Sequence, residues 1–278
     1  MSNNPLQQYF RQPAIYIKLP SQGRFYPPNS LEPTVNGEYP VFPMTAIDEI
    51  TYRTPDALFN GAAVVSVIQS CMPNIKNAWD IPSTDIDTIL VAIRIASYGH
   101  NMEFSSACPA CNEMVDRDLD LRSVLDRIGA PNYDTPVQSG DMEIYFKPLT
   151  YKNLNDNNQL QFEEQKILQM LPDTGIENTE KIRLLNEALK KLTNVTIQAL
   201  SQGIGAIKTP QSLVTEQEYI YEFLQNCERT LFNRIRDFVI DVKGQAEMQP
   251  VSLICDKCQH QYEQSLTLDM SSFFVAAS

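Results

Sequence analysis

The chain has 278 residues, is 43% hydrophobic and 20% charged, and carries a net charge of −12. That length supports one large domain or two modest ones with sizeable cores, and the composition excludes a disordered or fibrous chain. The negative balance argues against a nucleic-acid partner, because a phosphate backbone repels such a surface. No stretch is long and apolar enough to span a membrane, and the start, MSNNPLQQYFRQP, lacks the basic-then-apolar pattern of a secretory signal.

Residues 1–44 are rich in proline and polar residues, as in LPSQGRFYPPNSLEPTVNGEYPVFP. This composition predicts an extended arm with turns rather than a packed domain. Its aromatics, Phe10, Tyr16, Phe25, Tyr26, Tyr39 and Phe42, suit either a partner's surface or the arm's own domain, and the sequence leaves both open. Helices are expected next. TAIDEITYR predicts a short one. TPDALFNGAAVVSVIQSCM predicts a second, capped at Thr54 with Pro55 in its first turn. STDIDTILVAIRIASYG predicts a third, capped at Ser83 or Thr84, with Asp85 and Asp87 at its positive end and Gly99 as its stop. Only Arg94 interrupts the apolar run of this third helix, so burial is expected.

A hairpin is predicted at about 101–122, around CPAC. VQSGDMEIYFKPLTY predicts another, with the alternating tail Met142, Ile144, Phe146, and closes a segment 45–150. Residues 151–243 predict a helical insert. One helix covers TYKNLNDNNQLQFEEQKILQML and a second covers NTEKIRLLNEALKKLTNVTIQALSQ. The third, EQEYIYEFLQNCERTLFNRIRDFVIDVKG, is expected to break near Thr230, and GIGAIKTPQSLVTE reads as an extended turn between helices. Residues 244–278 carry a second hairpin around CDKC.

The six cysteines divide into two classes. Cys71 and Cys227 lie in apolar helical patterns and read as core thiols. Cys108, Cys111, Cys255 and Cys258 form two Cys-x-x-Cys pairs, each expected at the tip of a hairpin. Two such knuckles supply the four thiolates of a closed tetrahedral zinc site. The pairs match as an internal pseudo-repeat: counted from the second cysteine, Val115 matches Tyr262, Leu119 matches Leu266 and Leu121 matches Leu268. A closed four-sulfur shell has no open position for water or substrate, so one structural Zn2+ per chain is expected; iron, or a dithiol redox pair, is the alternative. A redox motif would call for a βαβ context, and none is visible. His100 and His260 flank the hairpins but are not needed in a complete shell.

No phosphate-binding loop, dinucleotide fingerprint, zinc-protease motif or nucleophile elbow occurs. With two histidines, a Ser-His or Cys-His catalytic set is hard to assemble. STDIDT reads as a helix start and DRDLDL as the solvent face of a strand. A nucleic-acid-binding zinc ribbon is a further alternative, but the hairpins carry only Arg117, Arg122 and Lys257 as basic residues.

The stretch MTAIDEITYRTPDALFNGAAVVSVIQSCMPNIKNAWDIPSTDIDTILVAIRIASYGHNMEF with its CPAC knuckle, together with LPSQGRFYP and NCERTLFNRIRDF, resembles the baseplate hub protein family of T4-like contractile-tailed bacteriophages, from about residue 17 to 265. The resemblance implies a non-enzymatic protein of the virion's tail baseplate, assembled in the host cytoplasm. It would bind other hub and tail tube proteins, either as a retained component or as a transient assembly factor. No catalytic residue is carried over. The expected fold class is α+β: mainly helical, with two Cys-x-x-Cys hairpins forming a zinc-ribbon-like unit and an extended N-terminal arm.

Overall fold

The computed structural model describes residues 4–53, 61–170 and 177–265. The expected cap at Thr54 and Pro55, and the repeat positions Leu266 and Leu268, lie outside these residues. Helices prevail over strands in a mixed α and β chain. The chain divides into two compact units. The first comprises residues 1–78, 84–130 and 245–278; the second comprises 79–83 and 131–244.

In the first unit the proline-rich segment is packed rather than standing free. Strands β1 (Ile15–Lys18) and β2 (Glu38–Val41) pair antiparallel, and Ile17, Leu19, Tyr39 and Val41 are buried. A two-stranded ribbon tolerates Pro40, which cannot donate to a ladder, because each strand has a free edge. Backbone bonds stitch the segment down: Phe42 N–H donates to the Cys71 carbonyl, Glu32 N–H to Asn74, and Lys76 N–H to Ser30. Of the two uses the sequence left open for the aromatics, Tyr39 serves its own unit, whereas Phe10 and Tyr16 are exposed.

Helix α1 (Ala46–Tyr52) starts with a reciprocal cap: Thr45 Oγ1 accepts from Asp48 N–H, and Asp48 accepts from Thr45 N–H. Helix α2 (Ala62–Cys71) starts at Gly61, whose φ of +74° suits a residue without Cβ. Helix α3 (Ser83–Tyr98) is buried over most of its length. Ile89, Leu90, Val91, Ala92 and Ile93 are consecutive and buried, the pattern of a central helix. Gly99, at φ +86°, ends it.

Asp85 shows where residue type alone misleads. It sits in the first turn of α3 as expected, yet it is fully buried. It accepts from Ser21 N–H at 2.7 Å, from Ser21 Oγ at 2.5 Å and from Tyr26 Oη at 3.0 Å. It is the anchor of the N-terminal segment as well as a helix-start residue. Burial pushes its carboxyl up to about 6, against the hydrogen bonds from Ser21, Tyr26 and Thr84 that pull it down.

The remaining elements of this unit are the hairpin β3 (Asn101–Ala107) and β4 (Met114–Asp120), then the short helix α4 (Leu121–Leu125). Leu119 is buried on β4, but Leu121 opens α4 instead of continuing the strand; it is buried all the same. The helix starts there because the Asp120 carboxylate accepts from Arg122 N–H.

The second unit is built on a four-stranded antiparallel sheet. The expected hairpin, β5 (Val137–Ser139) and β6 (Met142–Phe146), is present. The stretch read as an extended turn supplies two more strands, β7 (Ile204–Lys208) and β8 (Leu213–Val214), in the order β5-β6-β7-β8. Residues 137–146 thus share a sheet with a part of the expected helical insert. Four helices complete the unit: α5 (Tyr151–Met170), α6 (Asn178–Gly203), α7 (Gln217–Asn226) and α8 (Arg229–Ala246). The expected break in the last helical run falls at Cys227 and Glu228, just before Thr230. Ile144, Phe146, Leu200, Ile204, Ile220, Leu224, Leu231 and Ile235 form the core, with the Phe146 and Phe238 rings 4.3 Å apart. Among the described residues, no helix is long and apolar enough to cross a membrane.

Candidate metal centre

The first knuckle joins β3 to β4. Its turn is closed by two backbone bonds, from Cys108 N–H to the Glu113 carbonyl at 2.9 Å and from Asn112 N–H to the Cys108 carbonyl at 2.8 Å. Asn112 then takes a left-handed φ of +55°, which reverses the chain into β4. The second knuckle joins β9 (Val251–Ile254) to β10 (Gln261–Gln264) and repeats this geometry. Cys255 N–H donates to the His260 carbonyl at 3.0 Å, and Gln259 N–H to the Cys255 carbonyl at 2.9 Å. Gln259 stands at φ +59°. The same bonds fall at the same offsets from each first cysteine, so the pseudo-repeat seen in the residues is also a repeat of backbone shape.

The two knuckles meet. All four sulfurs lie within 4.8 Å of one another. Cys108 Sγ is 3.7 Å from Cys258 Sγ, and Cys111 Sγ is 3.6 Å from Cys255 Sγ. These spacings are far beyond a disulfide bond, and all four cysteines are free. A zinc–sulfur tetrahedron has edges of about 3.8 Å, from bonds of about 2.3 Å. The donor set therefore fits a four-thiolate metal.

The electrostatics point the same way. The N–H groups of Cys258 and Lys257 beside Cys255 hold its thiol down to about 7. At Cys111 the Glu113 N–H pulls downward, but the crowding thiols of Cys258, Cys255 and Cys108, together with burial, push it up to about 12. Four sulfurs this close cannot all ionise unless a cation sits between them.

Around the sulfurs, side chains clasp one hairpin to the other. Ser106 Oγ and Tyr262 Oη share a buried hydrogen bond of 2.8 Å. Arg117 pairs with Asp256 at 2.7 Å and also donates to the Ile254 carbonyl at 3.0 Å. Lys257 pairs with Glu113 at 2.5 Å. Val115, Leu253 and Tyr262 pack beneath Cys108 and Cys255. The sequence reading missed Ser106, Glu113, Arg117 and Asp256 as parts of this centre. Tyr262 and Val115 carried a signal, their matching positions in the repeat.

The other candidates resolve into structural roles. His260 stacks on Tyr262, its ring centre 6.3 Å away, and the His100 carbonyl accepts from Leu121 N–H. Neither histidine joins the sulfur cluster. Arg117, Arg122 and Lys257 are each paired with a carboxylate, which leaves no basic stripe on the hairpins among the described residues. In DRDLDL, Asp116 and Asp118 face solvent, and Asp120 is held down to about 2 by Arg122. Cys71 is buried and its thiol is pushed up to about 12 by that burial. Cys227 is half-buried in the break between α7 and α8. A cleft of about 520 Å³ in the second unit, bounded by Lys147, Asn153, Gln198, Ser201, Gln202 and Gln217 among others, is lined by neither a thiol nor an imidazole.

Compared with known proteins, residues 15–275 match the family model described as T4 bacteriophage base plate protein. No curated protein and no solved structure matches the chain significantly.

Proposed function

Because the chain belongs to the T4 bacteriophage base plate protein family, we propose that it is a non-enzymatic structural or assembly protein of a contractile tail baseplate, at the hub, and that it binds neighbouring hub and tail tube proteins. The observation that carries the structural half of this reading is the cluster of Cys108, Cys111, Cys255 and Cys258, all four sulfurs within 4.8 Å. We assign them one structural Zn2+, which completes a zinc-ribbon-like unit from the two hairpins. Four thiolates close the shell, so the metal supplies folding energy and offers no site for water or substrate. The clip joins positions 150 residues apart in the chain, Cys108 and Cys258, one before and one after residues 131–244 in the sequence. In a baseplate that carries load, such a clip keeps the chain's late segment from peeling away.

Two measurements test this. Metal analysis of the purified chain should return one zinc per chain; iron in its place would change the cofactor, and no metal would end the assignment. Quantitative mass spectrometry of purified particles against infected-cell lysate should find a few copies per particle. Abundance in lysate with absence from particles would replace the retained component with a transient assembly factor.

A further inference from the structure

Helix α6 buries only part of its apolar surface. Its C-terminal half enters the core through Leu200, beside Ile197. Its N-terminal half packs on α5. The two helices run antiparallel: Asn157 meets Gln202 and Glu164 meets Lys191, so the contact point moves back along α6 as it advances along α5. The face of α6 toward α5 carries Lys191 and the buried Ala188. A second row runs beside it, about 100° around the helix. This row is Ile182, Leu185, Leu189 and Leu192, spaced three, four and three residues apart, the spacing of a coiled-coil seam. Ile182 is 59% exposed, Leu185 41% and Leu189 48%, and Leu192 is half-buried. Ile182, Leu185 and Leu189 thus stand open among the described residues.

Charge argues for what covers it. A seam that selects a foreign helix carries charged residues on its flanks, to be matched by the partner. The flanking positions here are Lys181, beside Ile182, and then Asn186, Ala188, Thr193 and Val195, which are uncharged. Arg183 is engaged with Glu180 and Glu187 on its own helix. A second copy of the same row therefore meets no like charge along the flanks from Asn186 on. The wider field agrees. The chain carries −12 overall, whereas residues 151–203 hold six Lys and Arg against seven Asp and Glu, a net of −1. This helical pair is where two copies of an acidic chain approach with little repulsion.

We propose that Ile182, Leu185, Leu189 and Leu192 form the seam of a homodimer in which α6 of one copy packs against α6 of a second. The arrangement is isologous, the commonest closed symmetry for soluble oligomers. It does not depend on the metal or on the baseplate reading.

The test is sedimentation equilibrium of the purified full chain over a range of concentrations, alongside the double variant Leu185→Glu, Leu189→Glu. Both positions are exposed, so the variant should keep the wild-type circular dichroism spectrum. The wild type is expected to show a reversible monomer–dimer equilibrium, and the variant to associate at least about tenfold more weakly. A photo-crosslinking residue at position 189 should give a covalent dimer whose joined peptides both come from α6. A monomer up to the solubility limit, a dimer indifferent to the two glutamates, or crosslinks to residues outside α6 would each overturn the proposal. Capture of a different tail protein at position 189 in infected cells, with no self-adduct, would also overturn it.

Discussion

Replacing Cys258 by serine removes one of four sulfurs from a site that has no spare donor. The expected result is loss of the metal and release of the β9–β10 hairpin. The magnitude follows from the metal. The four sulfurs come together only in the folded chain, so the metal's binding free energy counts as folding free energy, on the order of 10 kcal/mol for a structural zinc. The protein contacts that would remain are weaker. The ion pairs of Arg117 with Asp256 and Lys257 with Glu113 lie at the surface, where water and salt screen them. The Ser106–Tyr262 bond adds about 1 kcal/mol. Strands of four residues in a two-stranded hairpin do not hold themselves together in water. The metal is therefore expected to dominate. Hydrogen exchange read peptide by peptide is the suitable assay, because local opening is what changes. Protection across 251–264 should fall by at least about three orders of magnitude in Cys258→Ser and in chelator-treated wild type, while the sheet and helices of the second unit keep theirs. Equal protection in treated and untreated protein would show that the side-chain clasp suffices and that the metal does not hold the hairpin.

Asp85 makes a pH prediction. Its folded-state value of about 6 lies above the ordinary aspartate value, so the folded state holds this proton more tightly than the unfolded chain does. Its contribution is fully present below about pH 4 and is lost as pH rises through about 6, a swing of about 3 kcal/mol. In thermal melts, the margin of wild type over Asp85→Asn should shrink from pH 4 to pH 7; a margin that grows would refute the burial argument. Gly129→Ala should destabilise, because the added Cβ would lie 2.7 Å from the Gln245 carbonyl oxygen; a melting temperature equal to wild type would show that the backbone there moves freely. Gln259→Gly should stabilise the chain by up to about 1 kcal/mol, because φ is +59° at that position; urea titration measures it, and a loss of stability would mean that the side chain contributes more than the strain costs.

The residues alone determined a good deal here. The central helix was legible because a run such as ILVAIRIA leaves no solvent face, and the structure buries it. The knuckles were legible because Cys-x-x-Cys constrains a turn locally, and the paired offsets of Val115 and Tyr262 announced two copies of one shape. Only the tertiary structure decided the rest, because those features rest on contacts between distant positions. The strand at Ile204–Lys208 has a sequence that suits a turn or a strand equally; pairing with Met142–Phe146, some sixty residues earlier, makes it a strand. Pro-rich residues 15–41 read as an arm because local propensity cannot register Ser21 and Tyr26 finding Asp85, or the chain's backbone groups finding Cys71, Asn74 and Lys76. The same limit applies to the centre itself. Spacing identified the four cysteines, but their distances, and the clasp of Arg117 on Asp256, exist only once the chain has folded back across 139 residues.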